Sequence, residues 1–229
     1  MKYLLALIIG VVIGASLLLA GLYYNPFVAQ ASVSPIAVTD ARVMDLSFSA
    51  VPGDGLLYTN DGESAVQPFP ERVGELWEAS IANSELWVTE LQNSRGIPVG
   101  LGVKFSTRSE ETELIRGEAM TNSIWHVYLP DRGTFVIDQT ENYWSYIRDV
   151  VIPARWSSGD NWRGTYNRIT TAGPGSLGTG RLTGGSGQFA DLIGESVETL
   201  TARAYSVQSG PVSMTGNLTM ALPVQAASQ

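Results

Sequence analysis

Residues 138–166 gather carboxylates, phenols, indoles and guanidinium groups: Glu141, Tyr143, Trp144, Tyr146, Arg148, Asp149, Arg155, Trp156, Asp160, Trp162 and Arg163. Aromatic rings with a few charged groups suit the mouth of an apolar cavity. The rings supply contact area and the charges orient a polar part of the ligand. Tyr143, Trp144, Tyr146, Arg148, Trp156 and Trp162 are therefore the candidate ligand-binding residues. A carboxyl group buried among such rings has its proton affinity raised and can act as acid or base. Glu141 and Asp138 are the candidates for that role. The same segment also fits a hydrophobic cap or an oligomer contact, because aromatic residues enrich interfaces as readily as pockets. Arg148–Asp149 and Arg155–Asp160 would then be ordinary surface charges.

His126 is the chain's one histidine. Alternation over 123–129 sets it on one strand face with Ile124 and Tyr128, and puts Trp125, Val127 and Leu129 on the other. An imidazole titrates near neutral pH, so His126 is a candidate general base, with Tyr128 beside it as a second ionisable group. A surface or hydrogen-bonded strand histidine is the plainer alternative. Spacing excludes several familiar sites. Gly178 and Gly180 are followed by Gly184, one residue too wide for a dinucleotide fingerprint. Gly184-Gly-Ser-Gly187 lacks the second spaced glycine of a nucleophile elbow. One histidine and no cysteine make no zinc site, and no stretch has calcium-loop spacing. Neither a metal nor a cofactor is expected.

These residues need strands to hold them. Val99, Leu101, Val103 and Phe105 alternate with Gly100, Gly102, Lys104 and Ser106, which predicts a strand over 97–107. Val212, Met214, Leu218 and Met220 alternate in the same way with Ser213, Thr215, Asn217 and Thr219. Turn residues separate such runs at 52–55, 60–62, 93–96, 131–133 and 209–211, as successive antiparallel hairpins require. Residues 70–81 are ambiguous: Val73, Leu76, Trp77 and Ile81 have helical spacing, while Trp77, Ala79 and Ile81 alternate as a strand would, and the reading leans to strand. Eight or more strands with no long helix indicate a sandwich or barrel.

The N-terminus reads differently. Leu4 to Leu22 is almost wholly Leu, Ile, Val, Ala and Gly, long enough to cross the roughly 30 Å hydrocarbon core as a helix. The chain is divided accordingly: 1–24 a membrane anchor or uncleaved signal, 25–39 a linker, and 40–229 a β-barrel domain. Ala29-Gln-Ala31 keeps a cleaved signal open. Lys2 precedes the span and Asp40 is the first charge after it, which leaves the N-terminus in the cytoplasm. The expected location is a bacterial inner membrane with the domain in the periplasm, or the periplasm itself if the signal is removed. A net charge of −8 argues against nucleic acid. Apart from Lys2 and Lys104, every fixed positive side chain is arginine.

Glycines at 178, 180, 184, 185, 187 and 194, broken by single large residues, oppose a helix and suit sharply bent strands. Gly184, Gly185, Ser186, Gly187 and Phe189, with Gly194 five residues on, resemble the late glycine-rich segment of the allene oxide cyclase and dirigent-like β-barrels. That resemblance implies an all-β fold, an antiparallel eight-stranded barrel with a central apolar cavity and no cofactor, often a homotrimer. No catalytic residue of those proteins aligns onto a particular position here, so the candidates remain Glu141, Asp138, His126 and Tyr128. The expected function is binding of a small hydrophobic molecule by a membrane-anchored barrel. The alternatives are a cofactor-free isomerase or cyclase, and a structural subunit of a membrane-associated assembly.

Overall fold

The computed structural model describes residues 2–23, 42–51, 54 and 84–222. Helix α1 is Lys2–Tyr23, and the strands are β1 Arg42–Ser49, β2 Ser84–Gln92, β3 Pro98–Arg108, β4 Met120–Leu129, β5 Gly133–Asn142, β6 Asn161–Ile169, β7 Thr171–Gly173, β8 Gly180–Gly184, β9 Ile193–Ser206 and β10 Gly210–Leu222. Eight of them close a barrel in the order β10-β1-β2-β3-β4-β5-β8-β9, and β9 returns to β10 to complete the circle. Closure removes the unpaired edges that an open sheet would expose. The short β7 pairs with the end of β5, and β6 pairs with the distal half of β9. The readings at 70–81 and 60–62, the linker 25–39 and most of the turn at 52–55 lie outside the described residues. α1 is long and apolar enough to cross a membrane, and its stretch Lys2–Gly21 is not buried against the rest of the protein.

The expected hairpins form where turn residues stand. Between β2 and β3, the Asn93 side chain accepts the N–H groups of Arg95 and Ile97 while Gly96 takes a left-handed conformation at φ 72°. Between β4 and β5, Asp131 and Gly133 have positive φ and Arg132 donates to the Leu129 carbonyl. Alternation then decides what faces inward: Ser123, Trp125, Val127 and Leu129 from β4, and Phe135, Ile137, Gln139 and Glu141 from β5.

β3 turns inward the face that looks less apolar. Gly102 and Lys104 are buried, whereas Leu101 and Phe105 are 41 % and 50 % exposed. The reason is volume. A Cβ on Gly102 would lie 2.8 Å from Cζ3 of Trp125 and 3.2 Å from a Leu91 methyl, so the indole occupies the space a side chain would need.

One end of the barrel is packed. Leu129, Phe135, Leu182, Phe189, Leu192 and Leu222 fill it, with Phe135 and Phe189 in an edge-to-face pair at 5.0 Å. The glycine-rich stretch makes this plug possible. β8 is followed by the tight turn Gly187–Phe189, which folds Phe189 back under the barrel. The Phe189 carbonyl then occupies the position a Gly184 Cβ would take. The other end is built differently. The 138–166 stretch continues β5 to Asn142, then forms the helical turns Trp144–Tyr146, Ile147–Val151 and Ile152–Trp156 before β6. The Asn142 side chain caps this segment by accepting the Trp144 N–H at 2.9 Å, and the middle turn is a wide π-turn followed by Pro153, which has no N–H to donate. Val150 seats the segment on Tyr166, Leu200 and Ala202 of β6 and β9.

Gly184→Ala is expected to cost about 3 kcal/mol or more through backbone displacement at the plug. Gly173→Ala, where the nearest atom to a new Cβ is 4.0 Å away, should cost much less. Urea unfolding of the two variants checks this, and equal losses would contradict the close-approach account.

Candidate functional site

Between the packed end and the open end, the barrel interior carries a cluster of charge. Lys104 of β3 points inward with its side chain 8 % exposed, between Glu141 of β5 at 0 % and Glu198 of β9 at 1 %. Its ammonium lies 2.8 and 2.9 Å from the two Glu141 oxygens, and 2.9 Å from each Glu198 oxygen. Tyr143 OH is 3.3 Å from the same nitrogen and donates to Glu141 Oε1 at 2.7 Å. The remaining acceptor sites are filled by donors from neighbouring strands. Ser123 Oγ donates to Glu141 Oε2 at 2.7 Å; Trp125 Nε1 and Gln139 Nε2 donate to Glu198 Oε2 at 2.9 and 2.6 Å. Thr171 Oγ1 accepts the Glu198 backbone N–H at 2.7 Å, which fixes β9 at this point.

One ammonium faces two carboxylates, so the cluster is unbalanced by one negative charge unless a proton is shared. Burial disfavours the charged form of Lys104, but attraction and hydrogen bonds from Glu141 and Glu198 outweigh it and raise its pKa. The carboxyls separate. Burial pushes Glu141 up, yet Lys104, Ser123 and Tyr143 pull it below its ordinary value. Burial and the charge of Glu141 leave Glu198 above its ordinary value despite Lys104 and Trp125. Glu198 Oε1 has Lys104 as hydrogen-bond partner, whereas Oε2 takes three donors. Burial and the charges of Glu141 and Glu198 hold Tyr143 as a phenol, its pKa well above the usual value.

A cavity of about 620 Å³ opens above this cluster. Phe48, Trp87, Leu200 and Met214 give it apolar walls, Lys104, Tyr143 and Glu198 lie at its inner end, and Glu85 and Arg108 stand at its rim. Glu141 is behind Lys104 and Tyr143, and touches the cavity through them.

Of the four candidate acid–base residues, the structure brings Glu141 into the cluster. His126, Tyr128 and Asp138 lie on the outer wall, away from the cavity, because the inward positions of β4 and β5 are the odd-numbered ones. His126 meets the ring of Phe105 there, edge to face at 6.1 Å. Among the six ligand-binding candidates, Tyr143 lines the cavity. Trp144 is buried at 6 % exposure, and Tyr146 packs edge to face on Tyr166 and Tyr205. Arg148, its side chain 19 % exposed, pairs with its neighbour Asp149 at 2.7 Å. Trp156 is 74 % exposed, and Trp162 lines a smaller cavity of about 330 Å³ with Arg163 and Tyr205. Sequence reasoning missed Lys104 and Glu198. The available signal was Lys104, on the strand face of Gly100 and Gly102, in a chain that apart from Lys2 otherwise uses arginine.

Removing one member of a buried ion cluster leaves the rest unpaired, so Lys104→Met is expected to cost about 3–5 kcal/mol. Adding Glu141→Gln and Glu198→Gln to it should recover much of that loss, measured by urea unfolding. The pH dependence has a definite sign. Lys104, Tyr143, Tyr146 and Tyr166 all have raised pKa values. Their contribution is complete below the unfolded values, about 10 for tyrosine and about 10.4 for lysine, and is lost as pH rises through the folded ones. Glu141 has the opposite sign. Its contribution is present above about pH 4.3 and lost as pH falls through its lowered folded value. Glu198 follows the first pattern in the acid range, its contribution complete below about pH 4.3 and lost as pH rises through its raised folded value. The thermal midpoint should therefore decline above about pH 10 and decline less in Tyr143→Phe. An identical alkaline slope in both proteins would contradict the assignment.

No protein-family model matches the chain, and neither does any curated protein sequence. Among solved structures, one similar chain is the Diels Alderase AbmU from Streptomyces koyangensis, at 11 % identity over 83 % of this chain and 72 % of that one, with a TM-score of 0.38. Another is described as a nonspecific heme-binding cyclase that catalyses [4 + 2] cycloaddition during neoabyssomicin biosynthesis, at 10 % identity over 92 % and 80 % of the two chains, with a TM-score of 0.40.

Proposed function

We propose that this barrel binds a small, mostly apolar molecule in its open half, as a domain that α1 holds on the extracytoplasmic side of a membrane. The observation that carries the reading is the division of the interior. Among the described residues one end is filled by buried apolar side chains, while the other leaves about 620 Å³ behind Phe48, Trp87, Leu200 and Met214. That volume falls in the range of small-molecule sites, and its lining has their usual make-up of apolar walls with a few fixed polar groups. Tyr143 and Lys104 at the inner end would meet the polar part of the ligand. The side of the membrane follows from Lys2 before the span and Asp40 after it.

A second reading rests on one contact. Tyr143 lines the cavity and donates a hydrogen bond to Glu141, so a phenol coupled to a buried carboxylate faces the space a ligand would fill. Such a pair can move a proton to or from a bound molecule, as a cofactor-free isomerisation or cyclisation requires.

Titration with the neutral fluorophore N-phenyl-1-naphthylamine tests the first reading. Its emission should rise saturably and quench the indole of Trp87. Ala119→Trp, which places an indole in the cavity wall, should weaken binding about tenfold or more, a change of about 1.4 kcal/mol. Unchanged affinity would place the dye elsewhere and remove the support. Tyr143→Phe separates the two readings. Dye affinity should hold within about twofold, a difference below about 0.5 kcal/mol. If the pair is catalytic, conversion of a co-purified molecule to an isomer of equal mass should stop; conversion that continues would leave the barrel as a binder.

A further inference from the structure

We infer that the open end of the barrel rests against the lipid bilayer that holds α1, so that the cavity opens towards lipid headgroups and not into bulk water. This rests on the proposed anchoring role of α1, and goes beyond it by fixing which end of the barrel meets the membrane.

The polarity of the strands defines the open end. β1 and β3 finish there, β4 begins there, and β5 delivers Tyr143 and the helical turns 144–156 to it. Ile147 of those turns lines the cavity from one side of the rim, and Leu114, from the connection between β3 and β4, lines it from the other. The rim is apolar on its outer surface too. Leu114 is 47 % exposed, the adjacent Ile115 75 % and Trp156 74 %. Large apolar groups exposed at this level are the mark of an interaction surface, and tryptophan is a residue favoured at the boundary of a bilayer.

α1 says what covers them. Its last residue, Tyr23, stacks on Trp156 with ring centroids 6.0 Å apart and planes inclined by 30°. If α1 crosses the hydrocarbon, the ring at its end lies at the headgroup boundary, as interfacial aromatics do. Trp156 must then lie at the same depth, and the rim with it. The chain's length agrees. Eighteen residues separate Tyr23 from Arg42, which begins β1 at the packed end. At up to about 3.3–3.6 Å per residue that stretch can reach roughly 60 Å. The eight residues of β1 rise only about 27 Å at about 3.4 Å each. The chain can therefore leave the membrane at the open end and still enter β1 at the far one.

Charge argues for apolar docking over attraction to anionic lipid. Of the rim's arginines, Arg108, Arg116, Arg148 and Arg155, Arg116 is paired with Glu113 and Arg148 with Asp149, while Glu85, Glu110, Glu111 and Glu118 add negative charge at the same end. Contact through Leu114, Ile115 and Trp156 should therefore be as good on zwitterionic lipid as on anionic lipid.

The absence of native cysteine lets a single spin label report depth at a chosen position. The full chain would be reconstituted in phosphatidylcholine nanodiscs, with one label each at Val12→Cys in α1, Ile115→Cys and Arg155→Cys at the rim, Phe105→Cys on the outer wall, and Ser94→Cys in the turn at the packed end. Arg155→Cys leaves Trp156 in place. Accessibility to oxygen against a water-soluble nickel chelate is expected to be highest at 12, lowest at 94, and intermediate at 115 and 155. If 115 and 155 match 94 while 12 reads as lipid, the docking is wrong and the anchor stands. If 12 itself reads as water, or the segment is absent from the mature chain, the anchoring reading fails and takes the docking with it. A lipid signature at 105 with water at 115 and 155 would mean that the barrel lies on its side, which also overturns the inference. Replacing a third of the lipid with phosphatidylglycerol should leave the order unchanged; loss of the rim signal would refute apolar docking.

Discussion

The ammonium group of Lys104 ties the barrel together across its interior. It joins β3 to β5 and β9 through Glu141 and Glu198, residues 37 and 94 positions away in the chain. Backbone ladders link only neighbouring strands, whereas this contact crosses the inside and reaches strands that are not adjacent to β3 in the sheet. An ion cluster at this depth stands only if nearly every lone pair and proton has a partner. Ser123, Trp125, Gln139, Tyr143 and Thr170 are placed around it for that reason. Much of the local sequence of β4, β5 and β9 follows from the need to satisfy two buried carboxylates.

The steric constraints surrounding this cluster are equally strict. Trp125 must reach Glu198 with its N–H, which lays the ring across the barrel at the level of Gly102. Any side chain at 102 would compete with it. Phe48 packs on the same indole, edge to face at 4.8 Å, and itself occupies the space a side chain at Gly216 would need. Glycine inside this barrel is thus the counterpart of large aromatic groups. Small and large residues alternate across facing strands so that the layers interlock.

How much of this was legible in the sequence varies from residue to residue. Period-two alternation located β3, β4 and β10, and the turn residues at 93–96 and 131–133 located the hairpins, because those signals are local. The glycine-rich stretch was readable as architecture for the same reason, and it forms the plug. Which face of β3 is inside was not local information. Leu101 and Phe105 look like core, and they face outward because Trp125, more than twenty residues later in the chain, fills the interior opposite Gly102. Glu141 stood out among its aromatic neighbours. Lys104 and Glu198 did not, since each sits in an ordinary alternating strand and gains meaning only when the barrel closes. His126, Tyr128 and Asp138 show the converse: their chemistry suits a site, and their strand parity places them on the outer wall, away from the cavity.

The charged cluster also explains where the packing stops. Below it, apolar side chains meet across the barrel and exclude space, from Ile137 and Leu182 down to Phe189. At the level of Lys104, three charged side chains and their donors take up the cross-section, and further apolar groups cannot be stacked on them without stripping the exposed part of the ammonium and phenol of their polar surroundings. Stability alone gives little reason for such a floor, because an apolar replacement of equal volume is often as stable or more so. The floor makes sense if the space above it is to stay open and present polar groups at its base. The hollow end and the buried charges are then one feature: the cluster halts the core partway along the barrel, and the cavity is what remains above it.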